Sequence, residues 1–142
     1  MDIQVKLLHP DARLPHRAHP GDAGSDLYSV EEVVIPPGER RGVGTGIALA
    51  IPPGYGGFVQ PRSGLAFKHG IMLTNSPGLI DAGYRGELRV SMYNSGAEPF
   101  TVGIGERIAQ LVVQRVEEPG FLPVEVLGDT SRGEGGFGSS GR

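Results

Sequence analysis

Apolar and polar side chains alternate with a period of two along several stretches of the chain, most clearly in residues 88–93, where Leu88, Val90 and Met92 are separated by polar or amphipathic neighbours. This alternation is typical of a β-strand with one buried face, whereas helical spacing is almost absent. Further stretches rich in β-forming residues are 3–8, 32–35, 43–51, 55–60, 71–74, 107–116 and 122–126.

Turn signals separate these stretches. Pro-Gly pairs begin at Pro20, Pro37, Pro53, Pro77 and Pro119. Proline presets φ at one turn position and glycine accepts a positive φ at the next, so each pair favours a tight turn. Many short strands joined by frequent turns predict an antiparallel barrel or a double-sheet sandwich.

Length, charge and cysteine content narrow the classes of function. A chain of 142 residues is long enough for one domain with its own core. Its net charge of -3 gives no support for non-specific binding to nucleic acid or to an anionic membrane. The absence of cysteine excludes thiol nucleophiles and cysteine-ligated metal sites.

Targeting signals are not evident in the sequence. The N-terminus does not resemble a signal peptide, and the longest apolar runs, such as residues 47–51, are far shorter than the roughly 20 residues that a membrane-spanning helix needs. We therefore expect a cytoplasmic protein without a membrane partner.

Residues 61–64, Pro-Arg-Ser-Gly, form a candidate oxyanion site. One short helix is predicted over residues 63–70, with Ser63 as its N-cap and Gly70 in the left-handed position after the last turn. Its free backbone N–H groups would lie beside the Arg62 guanidinium and the Ser63 hydroxyl, a set that suits phosphate. The alternative is a capped helix with an exposed arginine.

Residues 78–86 form a candidate hairpin that presents a base. Asp81 follows the apolar Leu79 and Ile80 and precedes a glycine-bounded turn, so we expect it to be partly desolvated and suited to deprotonating a water. Tyr84 follows on the far side of the hairpin. The alternative is that Asp81 only forms the turn and Tyr84 is a core aromatic residue.

Asp22 and Asp26 are four residues apart beside a flexible glycine. One of them could organise the waters around a hard cation such as Mg²⁺, which keeps several waters and is often bound largely through substrate phosphates. Two carboxylates are too few for a dedicated metal cage. Turn capping is the alternative role.

Gln110 lies in a predicted strand whose alternation places Arg107, Ala109 and Leu111 on one face and Gln110 with apolar neighbours on the other. A carboxamide in that position needs a hydrogen-bond partner. Both a backbone group and a ligand fit that requirement.

The last residues, from Thr130 onward, contain one large apolar side chain, Phe137, among several glycines. Such a segment cannot anchor itself to a core, so a mobile tail is predicted. It lacks the Gly-Lys-Ser/Thr ending of a P-loop, and no GxGxxG follows a strand. The four histidines show no ligand spacing, and none is assigned to a metal or to catalysis.

Five segments in this order closely resemble the motifs of the trimeric deoxyuridine triphosphatase (dUTPase) family. The segments are residues 22–27 (DAGSDL), 61–66 (PRSGLA), 78–86 (GLIDAGYRG), 105–110 (GERIAQ) and 132–138 (RGEGGFG). The resemblance spans about residues 22–140 and implies an all-β subunit, a distorted jelly-roll β-barrel, in a homotrimer whose active sites lie between subunits. Residues 1–129 would form the barrel, and residues 130–142 a C-terminal arm that closes over the site of a neighbouring subunit.

The resemblance also implies the reaction, in which dUTP and water give dUMP and pyrophosphate with the help of Mg²⁺. This reaction keeps uracil out of DNA and supplies dUMP for thymidylate synthesis. By carry-over, Asp81 activates the water that attacks the α-phosphorus, and Asp26 contacts the metal through water only. Phosphate-binding residues would be Arg62, Ser63, Gly64, Gln110, Arg132, Gly138 and Ser139. Nucleoside-binding residues would be Asn75, Gly78, Ile80, Tyr84 and Phe137.

Two other functions fit parts of the same pattern. A dCTP deaminase of related fold would release ammonia from dCTP, although the hairpin sequence suits the triphosphatase better. A non-catalytic nucleotide sensor or oligomeric interaction module would retain the fold alone, and the intact Asp81 and tail argue against it.

Overall fold

A computed structural model describes residues 1–141. Within these residues the chain forms eleven strands and one short helix. The strands are β1 (Gln4–Leu7), β2 (Ser25–Tyr28), β3 (Val33–Ile35), β4 (Arg40–Gly44), β5 (Ile47–Ala50), β6 (Tyr55–Gln60), β7 (Ile71–Leu73), β8 (Gly78–Ile80), β9 (Arg89–Asn94), β10 (Phe100–Val102) and β11 (Arg107–Arg115), and the helix α1 (Ser63–His69) lies between β6 and β7. The predicted all-β class is confirmed.

The strands pair antiparallel in a jelly-roll arrangement of small sheets. One sheet has the order β2-β11-β6-β8 and another β4-β9-β7, while β1 pairs with β5 and β3 with β10. Strand β11 is central to the largest sheet, and its register places Gln110 opposite both Asp26 of β2 and Gln60 of β6. This register brings two distant segments of the sequence to the same side chain.

A single apolar cluster fills the space between the sheets. Strand β9 contributes to it in the predicted alternation, with Val90 and Met92 buried and Arg89 exposed. Leu88, just before the strand, is also buried. Because burial of each aliphatic side chain contributes about 1.5–3 kcal/mol, the period of two fixes which face of the strand points inward.

The stretch 43–51, predicted as one β-rich run, is divided into β4 and β5 by a corner at Thr45 and Gly46. Gly46 has φ +66°, and a Cβ there would lie 2.9 Å from the Cβ of His9. The corner therefore requires both the positive φ and the close approach that glycine permits.

Residues 122–126 form no strand, so that prediction is wrong for the single chain. Leu122, Val124 and Val126 are exposed instead. β-propensity describes how well a residue fits a paired, half-buried surface, and the structure gives this segment no neighbouring strand. From residue 116 to 141 the chain forms only turns and irregular structure.

Helix α1 begins one residue differently from the prediction. Arg62, in an extended conformation, occupies the N-cap position, and no side chain caps the helix, so the N-cap role expected for Ser63 is wrong. Gly70 ends the helix with φ +67°, as predicted. No helix in the described part of the chain is long and apolar enough to cross a membrane.

Candidate active site

A cavity of about 470 Å³ lies where the start of α1 meets β2 and β11. We call it the anion pocket. Its lining includes Asp22, Ala23, Gly24, Asp26, Arg62, Ser63, Gly64, Arg107 and Gln110. Four of the residues predicted to hold phosphate, at positions 62, 63, 64 and 110, are thus brought together with the predicted metal-facing Asp26.

Asp26 is the electrostatic centre of the anion pocket. Its side chain is 14% exposed, and its Oδ1 lies 3.2 Å from Nε of Arg62. Its Oδ2 is 3.9 Å from Nη1 of Arg107. The guanidinium groups of Arg62 and Arg107 offer this pocket charged N–H donors, which suit an anionic ligand, while Asp22 and Asp26 balance their charge.

Asp22 has a different role from Asp26. Its Oδ2 accepts a hydrogen bond from the backbone N–H of His19 at 2.9 Å, and its carbonyl accepts one from Nε of Arg17 at 2.8 Å. The turn-capping alternative therefore holds for Asp22, whereas Asp26 lies in strand β2 and is free of that role.

Gln110 has a backbone partner. Its Nε2 donates to the carbonyl of Pro61 at 3.0 Å, which ties β11 to the segment that leads into α1. Its side-chain oxygen lies against Gly24, where a Cβ would overlap it. Glycine at position 24 is thus required for the carboxamide to keep this position.

The predicted alternation around Gln110 is wrong at its start. A bulge between Arg107 and Ala109 shifts the register of β11 against β2. As a result Ile108 and Ala109 are both buried, at 1% and 0% exposed, while Arg107 turns out to the anion pocket. An extra residue in one strand re-aims the side chain beside it, and the sequence carried no turn residue to signal this.

A second cavity, of about 270 Å³, lies beside the turn that follows β8. The hairpin predicted over residues 78–86 is wrong, because β8 pairs with β6 and the next strand, β9, belongs to a different sheet. We call the cavity the hairpin pocket. Its lining includes Asn75, Gly78, Leu79, Ile80, Asp81, Tyr84, Glu87 and Arg89. All the predicted nucleoside-binding residues except Phe137 are therefore at one place, together with Asp81.

Asp81 and Tyr84 occupy the rim of the hairpin pocket. Asp81 is exposed, so the desolvation expected for it does not occur within one chain. Tyr84 is 47% exposed and is not a core residue. Its N–H donates to the carbonyl of Asp81 at 3.1 Å, and its hydroxyl donates to the carbonyl of Glu87 at 2.9 Å. A Cβ at Gly86 would overlap the Tyr84 ring, so glycine there allows the ring to fold back.

The two pockets have no lining residue in common. The tail contributes to neither of them, since Arg132, Phe137, Gly138 and Ser139 are absent from both linings. Arg132 instead donates from Nε to the carbonyl of Gly135 at 2.5 Å. Arg142, the last residue of the predicted arm, lies outside the described residues.

A family model described as dUTPase matches residues 10–141 of the chain. The chain belongs to the dUTPase family. A deoxyuridine 5'-triphosphate nucleotidohydrolase of Rhodococcus erythropolis is 57% identical over 142 residues, which cover 99% of this chain and 87% of that protein.

Solved structures of dUTPases share the fold. The dUTPase of Staphylococcus bacteriophage 80alpha with dUPNHPP has a TM-score of 0.94 at 36% identity and covers 99% of both chains. A mutant dUTPase from phage phi11 of S. aureus, described for its coordination of a structural Mg(II) ion, has a TM-score of 0.83 at 32% identity over 89% of this chain and 98% of that one.

Three residues of these pockets were not singled out from the sequence. Arg107 lies within a motif, but regular alternation hid its direction. Glu87 and Arg89 border the hairpin pocket and pair with each other, with Oε2 and Nη1 3.3 Å apart. A glutamate two residues before an arginine, at the start of a predicted strand, was the sequence signal for this ion pair, because residues two apart in extended chain lie on the same face.

Proposed function

We propose that this chain hydrolyses dUTP to dUMP and pyrophosphate, as a dUTP diphosphatase. The observation that carries the proposal is the presence of two complementary half-sites on a chain of the dUTPase family. One is the anion pocket, where Arg62 offers charged donors beside Asp26, and the other is the nucleoside-sized hairpin pocket with Asp81 at its rim. The anion pocket supplies donors for the phosphates, and the hairpin pocket supplies space for the nucleoside and a carboxylate that can act as the base.

The active site is proposed to form between copies of the chain in a homotrimer. Because the half-sites share no residue, an anion pocket from one copy and a hairpin pocket from another can face the same substrate. Apolar side chains exposed after the last strand support association, since a monomer gains nothing by presenting them to water. They are Phe121, Leu122, Val124, Val126 and Leu127.

A third copy is proposed to supply the arm, residues 130–142, with residues 1–129 as the barrel. Twelve or thirteen extended residues reach roughly 40 Å, whereas a domain of this length has a radius of gyration of about 15 Å. Arg132, Gly138 and Ser139 would then bind the outer phosphates and Phe137 would stack on the uracil. Closure of the arm excludes bulk water from the reaction.

Asp81 is proposed as the general base. An exposed carboxylate on a turn is free to accept a proton from a water, and the approach of a second copy would remove solvent around it. The water attacks the α-phosphorus, and pyrophosphate leaves with the electrons of the broken P–O bond. Asn at this position would retain the shape of the side chain and lose the base.

Arg62 is proposed to hold phosphate oxygens while it stays paired with Asp26. The pairing uses Nε, so both terminal nitrogens of the guanidinium remain available as donors. Ser63, Gly64 and Gln110 border the same space. Groups fixed in this way before substrate arrives stabilise charge that develops on the phosphoryl oxygens.

Asp26 is the residue that would hold a Mg²⁺ ion, through water. Its carboxylate can accept hydrogen bonds from the waters that this ion keeps, and it lies in the pocket assigned to the phosphates. Residues 1–141 contain no group of three or more histidine, aspartate or glutamate side chains that could hold a metal, so the direct ligands would come from water and triphosphate. When bound, Mg²⁺ neutralises negative charge on the triphosphate.

Selectivity for deoxyuridine is proposed to come from the hairpin pocket. Its backbone at Gly78 and Ile80, with Asn75, would hydrogen-bond the uracil edge, and cytosine would leave groups unpaired at a cost of about 1–3 kcal/mol each. The Tyr84 ring under the sugar would leave no room for a 2′-hydroxyl.

The product dUMP would feed thymidylate synthesis, and removal of dUTP would keep uracil out of DNA. The cytoplasmic location stays a prediction.

Pyrophosphate release with dUTP, UTP, dCTP and dTTP tests the reaction. We expect rapid release from dUTP in the presence of Mg²⁺ and little from the other three nucleotides. Ammonia release from dCTP would instead identify a deaminase, and binding of dUTP without turnover would identify a nucleotide sensor. Either result would overturn the proposal.

Co-expression of two impaired variants tests whether the site is shared between copies. Arg62→Ala removes one half-site and Asp81→Asn removes the other. If each site combines pockets from two copies, equimolar mixed trimers should regain about a quarter of the wild-type rate, because half of the chains keep each intact pocket. A mixture no more active than its separate components would place both pockets of a site on one chain.

A further inference from the structure

The corner between β4 and β5 is hydrogen-bonded to Leu88, which follows the 78–86 segment. None of these hydrogen bonds uses a residue proposed to contact substrate. The N–H and the Oγ1 hydroxyl of Thr45 both donate to the carbonyl of Leu88, at 3.2 and 2.6 Å. The N–H of Leu88 donates to the carbonyl of Ile47 at 2.8 Å. Thr45 is 1% exposed, so its hydroxyl is a buried donor with a defined partner.

Two carboxylates, one from each of two different loops, accept backbone N–H groups at this corner. Oε1 of Glu87 accepts the N–H of Gly46 at 3.0 Å, and Oε2 of Glu31 accepts the N–H of Gly44 at 3.0 Å. Arg89 pairs with both, at 3.3 Å to Glu87 and 3.5 Å to Glu31. A Cβ on Gly44 would lie 2.9 Å from Oε1 of Glu87, so the bare backbone at position 44 makes room for the carboxylate.

Glu87 also reaches the residues proposed to contact substrate. Its carbonyl accepts the Tyr84 hydroxyl at 2.9 Å, and the N–H of Tyr84 donates to the carbonyl of Asp81 at 3.1 Å. A continuous series of hydrogen bonds therefore runs from the buried corner at residues 45 and 46, through Glu87, to the turn that carries Asp81. We call Thr45, Gly46 and Glu87 the brace.

We infer that Glu87 and Thr45 are positioning residues for the hydrolysis of dUTP, because they fix the turn that follows β8 so that Asp81 and Tyr84 keep their places. The inference rests on the proposed function. The turn is exposed, and Nη1 of Arg85 ties it only to itself, at the carbonyls of residues 82 and 84. Its side-chain hydrogen bond to the rest of the fold therefore runs through Glu87 of the brace. Reaction at phosphorus depends on the base and the attacking water being held within a fraction of an ångström.

The main test compares Glu87→Ala with Glu87→Gln. Glu87→Ala removes the acceptor for Gly46, and we expect kcat to fall about 10- to 100-fold with little change in KM, since the anion pocket still binds the phosphates. The ratio of kcat/KM for dUTP over UTP should also fall, because the residue 87 carbonyl that accepts the Tyr84 hydroxyl is no longer anchored to Gly46 by its side chain. Glu87→Gln keeps an acceptor oxygen at that place and should restore most of kcat. Glu39→Ala, which removes an exposed partner of Arg41, is the matched control for loss of a carboxylate.

A second pair of variants covers the case in which Glu87→Ala does not fold. Thr45→Val keeps the shape of the side chain and removes the hydroxyl donor to Leu88, while Thr45→Ser keeps the donor. We expect Thr45→Val to shift kcat and the dUTP over UTP ratio in the same direction as Glu87→Ala, by a smaller factor. Thr45→Ser should behave like the wild type.

Hydrogen exchange gives a readout that does not depend on turnover. Backbone amides of residues 81–86 should exchange faster in Glu87→Ala and Thr45→Val than in the wild type or Glu87→Gln, while amides of β11 stay protected. If the wild type does not cleave dUTP, the proposed function fails and exchange still decides whether the brace holds the turn. Unchanged exchange in both variants would overturn the inference, as would an equal loss of kcat in Glu87→Gln and Glu87→Ala.

Discussion

The anion pocket and the hairpin pocket are held in place by different physical means. In the anion pocket, side chains from β2, β11 and the start of α1 meet because strand register brings them together, and ion pairs then fix them. In the hairpin pocket, residues close in sequence are held by backbone hydrogen bonds of a turn. The charged groups of the anion pocket are thus positioned by the sheet, whereas the shape of the hairpin pocket and the proposed base Asp81 are positioned by a loop.

This difference implies that the two pockets respond differently to substitution. Loss of a side chain from the anion pocket should weaken substrate binding and lower the rate together, because a charged partner of the phosphates is lost in both the bound substrate and the transition state. A substitution in the hairpin pocket should act mainly on rate or on selectivity. Kinetic parameters of single variants can therefore separate the two contributions.

Replacing Asp81 by Asn should have the largest effect. The amide cannot take a proton from water, so kcat for dUTP should fall about 10²- to 10⁴-fold while binding of a non-hydrolysable dUTP analogue is preserved. Steady-state kinetics and calorimetric binding measure the two quantities. A fully active Asn variant would remove Asp81 from the base role and leave the hairpin pocket with recognition alone.

Deleting residues 131–142 should have the next largest effect. It tests whether the anion pocket and the hairpin pocket are enough for turnover without the arm. The hydrogen bonds made by residues 131–141 lead only to one another and to Thr130. The barrel should therefore keep its melting temperature and its oligomeric state, measured by light scattering, while turnover falls by at least about a hundredfold because phosphate donors are lost. Full activity of the truncated protein would contradict the proposed closure of the arm.

Replacing Arg62 by Ala tests the anion pocket. A charge-assisted hydrogen bond contributes about 1.5–3 kcal/mol, so kcat/KM should fall about 10- to 100-fold. Arg62→Lys is the matched control, since it keeps the charge but loses the planar fork. If both variants kept wild-type kcat/KM, phosphate would have to be held elsewhere.

Replacing Tyr84 by Phe should have the smallest effect. The ring remains and only the hydrogen bond from its hydroxyl to the carbonyl of Glu87 is lost, which amounts to about 1 kcal/mol. We expect about a fivefold loss in the preference for dUTP over UTP with dUTP turnover nearly unchanged. An unchanged preference would mean that packing of the ring against Gly86 is enough to hold it.

Prediction from the sequence succeeded where the determining interactions are local. Gly70 ends the helix, and Leu88, Val90 and Met92 alternate into the core, because each depends on a few neighbouring residues. The β-rich composition likewise determined the fold class.

Prediction failed where a distant partner decides the outcome. The bulge that turns Arg107 outward depends on pairing with β2, and the corner at Gly46 depends on close approach of His9. Residues 122–126 have the composition of a strand but pair with no other strand among residues 1–141. Composition cannot report the presence or absence of such a partner.

The bulge in β11 gives one strand two independent duties. Before the bulge, Arg107 lines the anion pocket. After the bulge, Ala109 and Leu111 are buried in the core, although regular alternation would put all three side chains on one face. Regular pairing through residue 108 would instead put the charge of Arg107 and the packing of Ala109 and Leu111 on one face of the strand. The bulge therefore lets position 107 be substituted without disturbing the packing at positions 109 and 111.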